Sequence, residues 1–162
     1  MNSNNHLFLD IDDVLTTQFQ YNQKASKWDK EYNRYHFDAK CVKVFNQIIE
    51  KTNPIIILSS DWKLHYTVEQ MNRIFEINGV KAIITHYTPS SWGHIFTSMK
   101  QLEECRAYEI NLYVKEHELT KWVAVDDLNL FPWIPDNFVR CTHSTEGIKQ
   151  SGVKDKILKI LN

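Results

Sequence analysis

Short apolar runs alternate along the chain with segments of helical period. Residues 6–9 (His-Leu-Phe-Leu) have the brevity and apolar content of a buried strand. Asp38 can cap a helix whose apolar positions Val42, Phe45, Ile48 and Ile49 recur at three- and four-residue spacing. Pro54 opens the β-branched run Ile55-Ile56-Ile57-Leu58, the pattern of a strand covered on both faces. Thr67 and Gln70 have capping-box spacing ahead of Val68, Met71, Ile74 and Phe75, and Asn78-Gly79 supplies the stop. Further strands are expected at residues 82–84, 122–125 and 138–141. Helices are expected at residues 103–116, marked by Ala107, Ile110 and Val114, and at the carboxyl end, marked by Val153, Ile157, Ile160 and Leu161. The order β-α-β-α-β-α-β-β-α predicts an α/β, three-layer Rossmann-like fold with a mostly parallel sheet flanked by helices. Only residues 16–37 lack a clean period.

Composition narrows the class without naming a chemistry. The 162 residues carry 19 Lys plus Arg against 20 Asp plus Glu, a net charge of −1, which argues against binding nucleic acid by bulk electrostatics alone. Four glycines, four prolines and 43% hydrophobic residues exclude low-complexity and disordered readings. The length suits a single domain over residues 1–162. Cys41, Cys105 and Cys141 are odd in number and far apart, which fits packing thiols in a reducing compartment. The polar, non-basic start and the brevity of the first apolar run predict neither signal peptide nor membrane span, so a cytoplasmic protein is expected. The oligomeric state is not legible.

Ligand sites in open α/β sheets collect beyond the carboxyl ends of the strands. After the first run come Asp10, Asp12 and Asp13; after the second, Ser59, Ser60 and Asp61; after residues 122–125, Asp126 and Asp127. Four of these carboxylates (Asp10, Asp12, Asp126 and Asp127) and two hydroxyls converge on one edge if the strands are neighbours. Carboxylates so close repel one another unless a cation intervenes, and an oxygen-only set favours Mg²⁺ over zinc. The seven histidines form no H-x-H or H-E-x-x-H pair, and His6, His86 and His117 are expected at strand or helix ends.

Four segments, Leu7-Phe8-Leu9-Asp10-Ile11-Asp12-Asp13-Val14-Leu15, Ile55-Ile56-Ile57-Leu58-Ser59, a basic residue in a later helix, and Val123-Ala124-Val125-Asp126-Asp127, resemble the motifs of the haloacid-dehalogenase (HAD) phosphatase superfamily, in its order. Ser59-Ser60-Asp61-Trp62-Lys63 and the run from Arg106 to Asp127 are similar to capless HAD domains linked to RNA-repair proteins. The resemblance implies a Mg²⁺-dependent phosphomonoester hydrolase. Asp10 would be the nucleophile and Asp12 the general acid and base. Ser59, Ser60 and Arg106 would bind phosphate, and Asp10, Asp12 and Asp126 would hold the metal, with Asp12 contributing its carbonyl. Asp127 is either a further ligand or an acid opening a short turn. Arg106 is the favoured third-motif cation, placed at a helix start, with Lys100 and Lys115 as competitors.

Two positions depart from the superfamily pattern: Asp13 stands where Gly is frequent, and Arg106 where Lys is usual. Asp61 reads as an exposed turn acid, and Trp62 as packing at the rim. Lys63 either snorkels beside Trp62 or reaches substrate phosphate. Trp28, Tyr32 and Tyr35 form either a satellite core or a nucleobase platform. The stretch between Leu15 and Pro54 has room for a flap hairpin and not for a cap domain, as does the one between Ser59 and Arg106 for a loop. An open site suits a large phosphorylated substrate; a nucleotide or nucleic-acid end is a candidate. The rival readings are a phosphate-binding module without turnover and a metal-dependent nuclease.

Overall fold

The computed structural model describes residues 4–17, 28–29, 34–35, 37–91 and 96–162. Strand β1 (His6–Leu9) lies at the centre of a five-stranded sheet whose other members are β4 (Ile55–Leu58), β5 (Ile84–Tyr87), β6 (Trp122–Asp126) and β7 (Phe138–Arg140). The order is β5-β4-β1-β6-β7, and every pairing is parallel. Leu7 aligns with Ile56 on one side and Val123 on the other, so the three apolar runs stand in register.

Period-two alternation divides these strands between two cores. Leu7, Leu9, Ile56, Leu58, Val123 and Val125 face one side, where helices α1 (Ala39–Thr52), α2 (Val68–Ile77) and α4 (Val153–Leu161) cover them. Phe8, Ile57, Trp122 and Ala124 face the other, under α3 (Met99–Glu116) and the segment carrying Leu128, Leu130 and Ile134. Both faces are dry, as an all-parallel sheet requires. The expected three-layer fold is the one observed.

Local chemistry sets the helix boundaries. The Asp38 carboxylate accepts from the amides of Lys40 and Cys41 and starts α1. Thr67 and Gln70 complete both bonds of the capping box at α2. Asn72 on α2 spends its carboxamide on β5, donating to the Ile84 carbonyl (3.0 Å) and accepting from the Ile84 amide (2.7 Å).

Four elements differ in a boundary from expectation, β6 only in running one residue further, to Asp126. Strand β5 begins at Ile84, because Ile83 is 66% exposed and the strand continues through the polar Thr85 and His86. Helix α3 begins at Met99, where the Ser98 hydroxyl accepts from the Gln101 amide and the exposed first turn needs no apolar stripe. Strand β7 stops at Arg140. Within the aperiodic region, where the spacing left room for a flap hairpin, β2 (Trp28–Asp29) pairs antiparallel with β3 (Arg34–Tyr35). The side chains of Trp28, Tyr32 and Tyr35 lie outside the described residues. His6 opens β1, His86 lies within β5 and His117 closes α3. All three cysteines are buried and free. Among the described residues no helix is long and apolar enough to cross a membrane.

The chain runs outward from β1 through β4 to β5. Helix α3 then returns it across the opposite face to β6, on the far side of β1. The direction of winding reverses at β1, and such a reversal leaves a crevice beyond the carboxyl ends of the flanking strands.

Candidate active site

Asp10 follows β1 directly, its amide bonded to the Val125 carbonyl (3.0 Å), and its side chain is buried. Asp126 ends β6, and Asp127 follows it half-buried. Because β1 and β6 are neighbours in register, the chain brings one carboxylate oxygen of each of Asp10, Asp126 and Asp127 within 4.8 Å of the others.

Arg106 enters this cluster from α3. One guanidinium nitrogen lies 2.7 Å from Asp126, 3.3 Å from Asp10 and 2.7 Å from the Ser59 carbonyl, and the other reaches Asp61 at 3.1 Å. The residue stands in mid-helix, which corrects its expected place at a helix start: α3 begins earlier than its apolar pattern suggests. A buried guanidinium two turns along therefore meets the acids, rather than a helix terminus. Lys100 and Lys115 are exposed on the same helix.

The electrostatics are those of an undercompensated acidic site. Burial pushes the Asp10 carboxyl well above its usual range, and the charge of Asp126 raises it further. Asp126 is pushed up to about 7, chiefly by burial, despite the relief Arg106 gives. For Arg106 burial acts to release the proton, but Asp126, Asp10 and Asp61 outweigh it and hold the guanidinium charged. Among the described residues Arg106 is the cation that pairs with carboxylates of the cluster, Arg140 bonding only the Asp127 carbonyl, and one such charge cannot balance three clustered carboxylates. A hard divalent cation coordinated by oxygen can, and the donor set fits Mg²⁺.

Ser59 supplies a second test of fit. Its amide bonds the Leu9 carbonyl (2.9 Å), which seats it beside Asp10, and its hydroxyl is buried with no hydrogen-bond partner among the described residues. An orphaned hydroxyl next to an acidic cluster and an arginine is the donor a phosphoryl oxygen would satisfy. Ser60 differs. Its hydroxyl caps the 3₁₀ turn Asp61–Leu64 by accepting from the Trp62 amide, so the structure gives it a local task apart from the cluster.

Asp12 lies outside the carboxylate triplet. Its Oδ2 accepts the indole N–H of Trp62 at 2.9 Å, and Thr16 approaches Oδ1 at 3.4 Å. Asp13 adopts φ 55°, a left-handed conformation that explains why glycine suits this position. Burial and the charges of Asp127 and Asp12 push its carboxyl up to about 6.

Two relationships here were invisible in the sequence. Trp62 is a buried donor to Asp12 rather than a rim residue. Lys63 neither snorkels nor faces substrate: its ammonium is buried against Glu109, Thr88 and Pro89. Partners so far apart in the chain leave no periodic signal; only the density of functional residues at 59–63 marks the segment. Asp61 is exposed, as expected, yet it also holds Arg106.

The profile of a family described as "HAD domain in Swiss Army Knife RNA repair proteins" matches residues 6–153. Searches of curated proteins and of solved structures returned no match.

Proposed function

The chain belongs to the HAD domain family of Swiss Army Knife RNA repair proteins, a family of hydrolase type, and from this footing we propose that it is a Mg²⁺-dependent phosphomonoester hydrolase acting on a nucleotide or nucleic-acid phosphate end. The observation that carries the reading is the orphaned Ser59 hydroxyl beside Asp10, flanked by Arg106 and two further carboxylates. That arrangement offers a nucleophile and a phosphoryl-binding set in one crevice.

In this reading a carboxylate oxygen of Asp10 attacks phosphorus. The ester P–O bond breaks, and its electron pair stays on the leaving oxygen, which takes a proton from Asp12. Water then attacks the aspartyl-phosphate, surrenders a proton to Asp12, and inorganic phosphate leaves. The Ser59 hydroxyl and the Arg106 guanidinium hold phosphoryl oxygens and stabilise charge as it develops on them. Asp10, Asp126, Asp127 and the Asp12 carbonyl would hold Mg²⁺, which when bound neutralises charge between carboxylate and phosphate. Ser60 acts by shaping the turn that presents Ser59.

We read residues 1–162 as a single domain without a cap, since the stretch between Leu15 and Pro54, once helix α1 is taken out, is too short for a cap domain. An open crevice admits a polymer end. The free, buried thiols accord with a cytoplasmic setting.

A panel of phosphomonoesters, including nucleotides and 3′- or 5′-phosphorylated oligonucleotides, tests the reading with Mg²⁺ and with chelator. Phosphate release that chelator abolishes, and that Asp10→Asn removes to within a few per cent, is the expected result. Binding without release would favour a phosphate-binding module. Strand cleavage without phosphate release would favour a nuclease.

A further inference from the structure

Trp62 is among the largest fully enclosed side chains of the molecule, 2% exposed, and its ring packs between Phe37 and Tyr66 at centroid distances of 5.9 and 5.7 Å. A buried indole needs a hydrogen-bond acceptor, and this one finds it in Asp12, the residue with the proton-transfer role in the proposed reaction. The backbone around the pair is tied down at both ends. The Ser60 hydroxyl caps the turn that carries Trp62, and the Lys63 and Tyr66 amides bond back to the Ser60 and Trp62 carbonyls. On the other side, the Leu15 and Thr16 amides close onto the Ile11 carbonyl and fix the loop that carries Asp12.

From this geometry we infer that Trp62 is a positioning residue for Asp12: its N–H holds one carboxyl oxygen and so fixes the plane of the carboxyl group, in which the other oxygen, contacted by the Thr16 hydroxyl, serves the leaving oxygen of the substrate. The inference rests on the hydrolase reading above and deepens it. An indole N–H is a donor only. It pairs best with a carboxylate oxygen or the carbonyl oxygen of a carboxylic acid, because the hydroxyl oxygen of the acid is the weaker acceptor. With Oδ2 engaged by Trp62, the proton Asp12 carries is favoured on Oδ1, where the Thr16 hydroxyl at 3.4 Å can turn to accept it or to donate.

The same 3₁₀ turn follows Ser59 directly, so the segment that presents the phosphoryl-binding hydroxyl also orients the acid. Substrate grip and proton delivery thus share one rigid support. The indole makes no demand on the chemistry of the leaving group beyond its need for a proton. Positioning by Trp62 therefore matters most for esters of poorly acidic alcohols, such as the ribose hydroxyl of a nucleic-acid end, and least for esters whose leaving group departs unprotonated.

The experiment compares kcat/KM, which reports phosphoryl transfer to Asp10, for a nucleoside monophosphate and for p-nitrophenyl phosphate in the parent, Trp62→Phe, Asp12→Asn and the double variant. General acid catalysis contributes about 10²–10⁴-fold. Trp62→Phe should forfeit part of it, about 10-fold or more on the nucleotide and less than about 3-fold on p-nitrophenyl phosphate. In the Asp12→Asn background the same change should add nothing to the discrimination between esters. Equal losses on both esters, or none, would make Trp62 a packing residue and overturn the inference while leaving the hydrolase reading intact. A parent protein inert on every ester overturns both. If Trp62→Phe melts below assay temperature, site-specific replacement of Trp62 by 3-benzothienylalanine, which keeps the ring shape and deletes the N–H, must give the same discrimination.

Discussion

Lys63 and Glu109 form a buried ion pair, their side chains 6% and 8% exposed, between the turn after Ser59 and helix α3. All three ammonium hydrogens are used, since Thr88 Oγ1 and the Pro89 carbonyl accept the other two at 3.0 Å each. The far oxygen of Glu109 accepts the Ser91 amide at 2.9 Å. Asp61 and Arg106 make the reverse-signed pair beside it. The turn and the helix are thereby bolted together at two points, and the loop after β5 is fastened to the same bolt.

Breaking one half of this pair should be far worse than removing both. Lys63→Met or Glu109→Leu leaves a buried partner uncompensated, a change that costs about 3–5 kcal/mol. The double change Lys63→Met with Glu109→Leu should recover most of that loss. Denaturant unfolding of the three variants measures it; an additive double variant would show that the two groups are not energetically coupled.

Arg106→Ala should reduce turnover about 10²–10³-fold, the usual cost of losing one charge-assisted contact to a developing anion. Arg106→Lys should lie between, because it keeps the charge and loses the fork that spans Asp10, Asp126 and Asp61. Lys100→Ala and Lys115→Ala should stay within a few-fold of the parent, consistent with their exposure on the same helix. A crippled Lys100→Ala beside a mild Arg106→Ala would move the third motif to the start of α3.

Asp126→Asn should raise the Mg²⁺ concentration needed for half-maximal activity more than Asp127→Asn does. Asp126 lies fully buried at the strand end, with Arg106 on one oxygen and the Leu128 amide on the other, whereas Asp127 is half-buried. A Mg²⁺ titration of each variant checks the order, and a larger shift at Asp127 would reverse it.

Asp38 predicts an acid limb of stability away from the crevice. Burial raises its carboxyl, but the hydrogen bond from Lys149 and the amides of Cys41 and Lys40 outweigh that and hold it below its usual value. A carboxyl depressed in the folded state stabilises fully above its unfolded value, about 3.9, and loses that contribution as pH falls through the folded value. Asp38→Ala should cost about 1–2 kcal/mol through the lost cap at neutral pH. The gap in Tm between parent and variant should stay constant from pH 7 to about pH 5 and shrink below about pH 4. A gap that already narrows at pH 6 would show that another group governs it.

The fold was legible wherever burial imposed a period. Ile55-Ile56-Ile57-Leu58 and the Val42, Phe45, Ile48, Ile49 stripe declare their elements because each packs on a dry face. The start of α3 was not legible, since a Ser98 cap and exposed residues carry no hydrophobic signal. The carboxylates Asp10, Asp126 and Asp127 were readable because each stands at the polar end of an apolar run, and parallel register then forces them together. The partners that orient the site were hidden: Trp62 meets Asp12, and Lys63 meets Glu109, across long stretches of chain whose spacing encodes nothing. Asp13 was visible as an oddity, and its left-handed φ supplies the reason.

The carboxamide of Asn72 has a consequence beyond holding α2 to β5. Strand β5 ends the sheet, and an unpaired strand margin is a template on which another chain can add itself. Asn72 offers the Ile84 peptide one donor and one acceptor, as the backbone of a further strand would. The vacancy at that peptide is thereby filled from within, next to Ile83, the most exposed apolar side chain described. A single polar side chain guards the molecule against intermolecular growth at the point where a greasy neighbour would most encourage it.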